Sequence, residues 1–165
     1  MIDLICRAIP RRAPRFASAL LLALAGCALA PPAHLEQEER DLNRHRVLWN
    51  EQGLRDYTFD ARRICFCGVE ATGPMRVVVR GGEVMSVTRV ENGEQVAVNF
   101  AGLWPSIEGI FAVVQDAIDR DAHSLRVEYD AELGFPTEID IDYDEMTVDE
   151  EQGFRIEGVE PLQPE

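Results

Sequence analysis

Cys65-Phe66-Cys67 places two thiols one residue apart, the pattern in this sequence with the most chemistry in it. Residues i and i+2 of a strand point the same way, with Cα atoms about 6.6 Å apart at ~3.3 Å per residue. That is near the upper limit for a disulfide, so pairing requires a twist or bulge. Three readings stay open. The pair is a small staple at a strand end (or two ordinary buried thiols), a disulfide that exchanges with other thiols, or a two-thiolate Cu(I) site. Tetrahedral zinc needs four ligands, and His34, His45 and His123 have no metal-like spacing from the pair or from one another.

The second candidate is acidic. Glu138, Asp140, Asp142 and Asp144 alternate with Ile139, Ile141 and Tyr143, so on a strand the acids share the outer face. Glu128 and Asp130 are expected beside them on the partner strand. A solvated strand face is the simplest reading, with weak Ca²⁺ binding or docking of a basic protein as alternatives. Asp140, Asp142, Asp144 and Glu151 fall at positions 1, 3, 5 and 12 of an EF-hand-like count. Such a loop requires Gly at position 6 and a helix on each side, and Glu145 stands where the Gly belongs.

Catalysis has little to draw on. The four Ser are Ser18 in the leader, Ser86 in a strand pattern, Ser106 before a helix and Ser124 beside His123. None lies in a nucleophile-elbow pattern, and no Gly-rich phosphate loop or zinc-protease helix occurs. An enzyme is not expected, nor any cofactor beyond a covalent lipid.

That lipid is read from the N-terminus. Arg7, Arg11, Arg12 and Arg15 make a basic leader before the apolar run Phe16 to Ala25. The run is shorter than the ~20 residues of a membrane-spanning helix and suits the apolar region of a secretory signal peptide. Leu24-Ala25-Gly26-Cys27 follows directly and resembles the bacterial lipobox. The resemblance implies removal of residues 1–26, acylation of the Cys27 thiol and a lipoprotein held by at least two acyl chains, enough for stable anchoring. The expected address is the cell envelope. In a host with two membranes, Ala28 lacks the Asp associated with inner-membrane retention, which favours the periplasmic side of the outer membrane.

Maturation also sharpens the charge. The chain has 16 basic residues, all Arg, and 30 acidic ones; losing four Arg and Asp3 leaves 12 and 29, so the net charge moves from -14 to -17. Nucleic acid is repelled by such a surface, whereas a basic protein partner is attracted. With Cys6 discarded and Cys27 acylated, Cys65 and Cys67 are an isolated pair in an oxidising compartment.

The elements that must position these groups follow from periodicity. Residues 27–34 read as lipidated Cys and tether, 35–157 as one α+β domain and 158–165 as an acidic tail. Leu35, Leu42 and Trp49 recur every seven residues on a helix that stops at Gly53. Tyr57, Phe59 and Ala61 alternate as a strand; Ile64 and Phe66 on the opposite parity imply a bulge near Arg62-Arg63 or a strand apolar on both faces. Arg80-Gly81-Gly82-Glu83 and Glu91-Asn92-Gly93-Glu94 read as hairpin loops. Together they predict a three-stranded meander over 75–100, with Val78, Met85, Val87, Val96, Val98 and Phe100 on one face. A helix over 106–121, N-capped by Ser106, is expected to cover it. Strands around Leu125–Tyr129, Ile139–Tyr143 and Phe154–Ile156 complete a mainly antiparallel sheet with helices against one face.

One resemblance spans most of the mature chain, about Trp49 to Arg155. Its residues are Tyr57-Thr58-Phe59, Cys65-Phe66-Cys67, Ser106-Ile107-Glu108-Gly109-Ile110-Phe111, Val127-Glu128-Tyr129-Asp130, Gly134-Phe135-Pro136, Asp142 and Asp149-Glu150. In this order they resemble a family of uncharacterised bacterial secreted proteins and lipoproteins, a domain of unknown function. The resemblance implies a domain and no activity.

Overall fold

The computed structural model describes residues 33–68, 71–147 and 151–163. The leader, Cys27 and Asp149-Glu150 lie outside the described residues. The architecture is α+β. An open six-stranded antiparallel sheet is accompanied by two long helices, α1 (Ala33–Gln52) and α3 (Ile107–Asp119), and a one-turn helix, α2 (Val98–Ala101). The strands are β1 (Tyr57–Cys65), β2 (Gly73–Arg80), β3 (Glu83–Arg89), β4 (Ser124–Tyr129), β5 (Pro136–Asp142) and β6 (Gln152–Pro161).

Their spatial order is β3-β2-β1-β6-β5-β4. Two local meanders, β1–β3 and β4–β6, are therefore joined down the middle by the antiparallel pairing of β1 with β6. The α3 segment is the connection between them. Its backbone contacts fall mainly on α1, then on β5 and β4.

Helix α1 forms where the seven-residue repeat requires it, with Leu35, Leu42 and Trp49 all at most 2 % exposed. It stops at Gly53, whose φ of +64° is a left-handed conformation that side chains resist. Ser106 caps α3, its hydroxyl accepting from the Gly109 N–H at 3.3 Å. The buried stripe Ile107, Ile110, Phe111, Val114, Ala117 and Ile118 joins one apolar cluster with Leu42, Trp49, Tyr57, Val77, Ile139 and Phe154.

The first meander differs from the expectation in two ways. The Gly81-Gly82 loop pairs Arg80 with Glu83 and Val79 with Val84, as its residues require, but a bulge then shifts the register so that Val78 faces Ser86 and Val77 faces Val87. The extra residue reverses the parity of β3. Met75, Val77, Val79 and Val87 are buried, while Met85 is 63 % exposed. The third strand also does not form. Gln95 makes one isolated bridge to Thr88, and the chain then turns into α2. Three strands rather than four precede α3.

Two boundaries move as well. β1 pairs with β2 in unbroken register from Tyr57 to Arg63, and its irregularity against β6 lies between Thr58 and Asp60, not at Arg62-Arg63. Ile64 and Phe66 change parity because they face solvent. β6 runs on to Pro161, so residues 158–161 belong to the sheet rather than to a tail. The partner strand β1 supplies hydrogen bonds there that local sequence does not reveal.

Candidate functional site

Cys65 is the last residue of β1, and Cys67 lies beyond the strand, exposed to solvent. Because the chain bends there, the Cα–Cα separation is 5.3 Å rather than the strand spacing, and the two sulfurs are bonded. That distance sits inside the ordinary disulfide range. Phe66 between them is 82 % exposed and Ile64 is 41 % exposed. A crosslink enclosing so few residues removes little entropy from the unfolded chain, about 1.6 kcal/mol by the loop-length relation. Stability is a weak reason for this bond to exist.

The acidic strand face is arranged differently from a cation site. Glu138, Asp140 and Asp142 do lie outward on β5, with Glu128 opposite Glu138, Arg126 opposite Asp140 and Ser124 opposite Asp142. Two arginines tie the first pair. Arg126 reaches Asp140 at 2.7 Å, Glu128 at 3.0 Å and also Glu138. Arg155, opposite Glu138 on β6, reaches Asp140 at 2.9 Å and Glu138 at 3.0 Å. Burial acts to raise the Asp140 carboxyl, but hydrogen bonds from Arg126 and Arg155 outweigh it and hold the group below the usual carboxylate range.

Asp130 and Asp144 have left the strand. Asp130 accepts from the Glu132 and Leu133 N–H groups, closing the turn before Gly134. Asp144 accepts from the Met146 N–H and the Thr147 hydroxyl. Three of the acids in the EF-hand-like count, Asp140, Asp142 and Asp144, thus accept hydrogen bonds from arginines, from the local backbone or from the Thr147 hydroxyl. Among the described residues, no group of three or more His, Cys, Asp or Glu side chains is placed to hold a metal ion.

Beyond these acids the outward face continues as an alternation of charge. Arg76 grips Asp60 through two bonds of 2.7 and 2.8 Å, and Arg62 faces Arg155 across the β1–β6 pair. Arg62, Arg76, Arg126 and Glu128 are all exposed. The β4–β6 half holds Glu128, Glu138, Asp140, Asp142 and Glu157 against Arg126 and Arg155, so it keeps an excess of negative charge.

One convergence escaped the sequence reading. Both oxygens of Glu108, in the first turn of α3, accept from aromatic donors: Trp49 Nε1 at 3.1 Å and the Tyr57 hydroxyl at 2.7 Å. The Tyr57 oxygen accepts in turn from the Ile107 N–H at 3.0 Å. Burial, reinforced by the neighbouring carboxylate, pushes the Tyr57 phenol well above its usual range, so it stays a donor. The node links α1, β1 and α3 beside a cleft of about 570 Å³ lined by Trp49, Leu54, Arg55 and Glu83 among others. With each Glu108 oxygen already occupied, the arrangement serves to hold elements together. The sequence signal was Tyr57 and Glu108, both within the motifs that carried the resemblance.

Most of those motif residues have structural duties. Gly134 adopts φ +85° with α1 pressed against it, and Phe135 is buried against Trp49, the ring centroids 6.3 Å apart. The chain matches the family of unknown function DUF6174 over residues 41–161, and it belongs to that family. No curated protein matches it, and no solved structure does.

Proposed function

We propose that this chain is a non-catalytic lipoprotein of the cell envelope, anchored through acylated Cys27, that docks a basic protein on the β4–β6 half of its open sheet face. In a host with two membranes, its place is the periplasmic side of the outer membrane. The observation that carries this reading is the ordering of that face. Arg126 and Arg155 clamp Glu138 and Asp140 into fixed positions instead of leaving them convergent on one reacting point. Fixed charges with an unbalanced excess of acid suit recognition of a basic surface, where complementary charge sets encounter rate and register. The lipobox resemblance and the net charge of -14 support the location and the sign of the partner.

The test is partner capture from membranes of the native host by the intact lipoprotein. Glu128→Arg with Asp142→Arg, both at the margin of the clamped pair, is expected to weaken capture of a basic protein at least tenfold, and raised salt to weaken the unaltered protein's capture similarly. Capture indifferent to both changes would remove the sheet face from the account.

A further inference from the structure

We infer that Cys65–Cys67 is an exchangeable disulfide that accepts electrons from thiols carried on apolar peptide segments. The inference does not depend on the docking reading; it rests on geometry at the C-terminal end of β1, where Ile64 borders Asp140 and Asp142 of that face. Cys67 is exposed and Cys65 only half so, which makes the Cys67 sulfur the one an incoming thiolate reaches. Phe66 projects between them at 82 % exposure, with Ile64 exposed on the same strand end. Large apolar side chains held in water beside a disulfide are a surface for an apolar segment. Arg63 and Arg120 line the shallow cleft of about 300 Å³ that contains Cys65 and Phe66, together with one carboxylate, Glu151. Arg120 is also paired with Asp116 at 3.3 Å, so Arg63 is the guanidinium beside Cys65 that favours a departing thiolate.

The exchange balances without any added oxidant. A substrate thiolate attacks Cys67 Sγ; the Cys65–Cys67 bond breaks, and its electron pair leaves on Cys65 as thiolate. The product is a mixed disulfide between the substrate and Cys67. A second substrate thiolate then attacks the substrate sulfur, displacing Cys67. Two substrate thiols lose two protons and two electrons and become one disulfide. Cys65 and Cys67 gain the electrons and, on protonation, become a dithiol. The reverse sequence returns the pair to the oxidised state at the expense of a substrate disulfide. Because the pair contributes little to stability, the domain can pass through the dithiol state folded.

The experiment mixes the purified oxidised lipoprotein, in detergent at pH 8 without oxygen, with either of two reduced probes. One is a synthetic peptide bearing a single Cys between leucines; the other is glutathione. Reactions are quenched with N-ethylmaleimide, which caps the freed Cys65, and the adduct is located by peptide mass spectrometry. The expected result is a peptide adduct on Cys67, formed at least tenfold faster than the glutathione adduct at equal thiolate. Phe66→Ala is expected to slow the peptide about fivefold and leave glutathione unchanged; Phe66 is exposed, so the variant folds. The inference is overturned if neither thiol reacts while a phosphine reduces the bond. It is also overturned if the adduct forms mainly on Cys65, or if the peptide reacts no faster than glutathione.

Discussion

Gly134→Ala is expected to destabilise the domain by about 3 kcal/mol or more, because two independent penalties fall on one methyl group. The first is conformational. Gly134 has φ +85°, and holding an L side chain in that region costs roughly 1–2 kcal/mol. The second is steric. The new Cβ would lie 2.7 Å from the His45 carbonyl oxygen, 3.0 Å from Leu48 Cβ and 3.0 Å from the Trp49 nitrogen. Two of these atoms are helix backbone, which cannot step aside without moving α1, and overpacking of this kind costs about 1–3 kcal/mol. Gly53→Ala carries the conformational part alone, so the difference between the two variants isolates the steric part. Gly53 has φ +64° but nothing within 4 Å of its Cβ position, so its substitution should cost only about 1 kcal/mol. Chemical denaturation of the two variants measures the difference. Equal losses would mean that α1 does not press on the Gly134 turn.

Cys27→Ala is expected to abolish lipid attachment outright. The apolar run before Cys27 is too short to anchor by spanning, being half the ~20 residues a bilayer-crossing helix needs. Among the described residues, no helix is long and apolar enough to span either. On the proposed lipoprotein reading, stable attachment depends on the acyl chains, each buried CH₂ contributing ~0.8 kcal/mol. In a bacterial host fed an alkyne-tagged palmitate, the native protein should take up label and run at the size of residues 27–165. The variant should take up none and keep its leader, since cleavage ahead of the Cys follows acylation. Label persisting in Cys27→Ala would place the modification elsewhere and remove the anchor from the account.

How far these features could be read in advance depended on their range along the chain. Leu35, Leu42 and Trp49 announce α1, Ser106 announces α3, and Gly134-Phe135-Pro136 announces the turn between β4 and β5, because each signal lies within a few residues of the element it sets. The β1–β6 pairing does not announce itself. Tyr57 meets Pro161 only in three dimensions. The tail therefore looked free when its first residues are strand. A one-residue bulge opposite Val78-Val79 was likewise invisible, and it put Val87 on the buried face with Val77 rather than with Val78. Of the candidate sites, the cysteine pair was legible, and so was the need for the chain to leave strand geometry before the two sulfurs could pair. The acid row was legible as a row. The clamping of Glu138 and Asp140 was not, since Arg155 arrives from a strand whose register no local pattern gives. Trp49, Tyr57 and Glu108 are 59 residues apart at the extremes, and their meeting follows only from the fold.

The docking proposal is tested most directly by photo-crosslinking in intact cells. A photoreactive residue at Ser124 sits exposed on the outward face opposite Asp142; one at Asn43 sits exposed on α1 and serves as the control. The predicted result is a discrete adduct to a basic protein from Ser124, lost at raised salt, with none from Asn43. An adduct from Asn43 alone, or equal adducts from both positions, would contradict the assignment of the open sheet face as the binding surface.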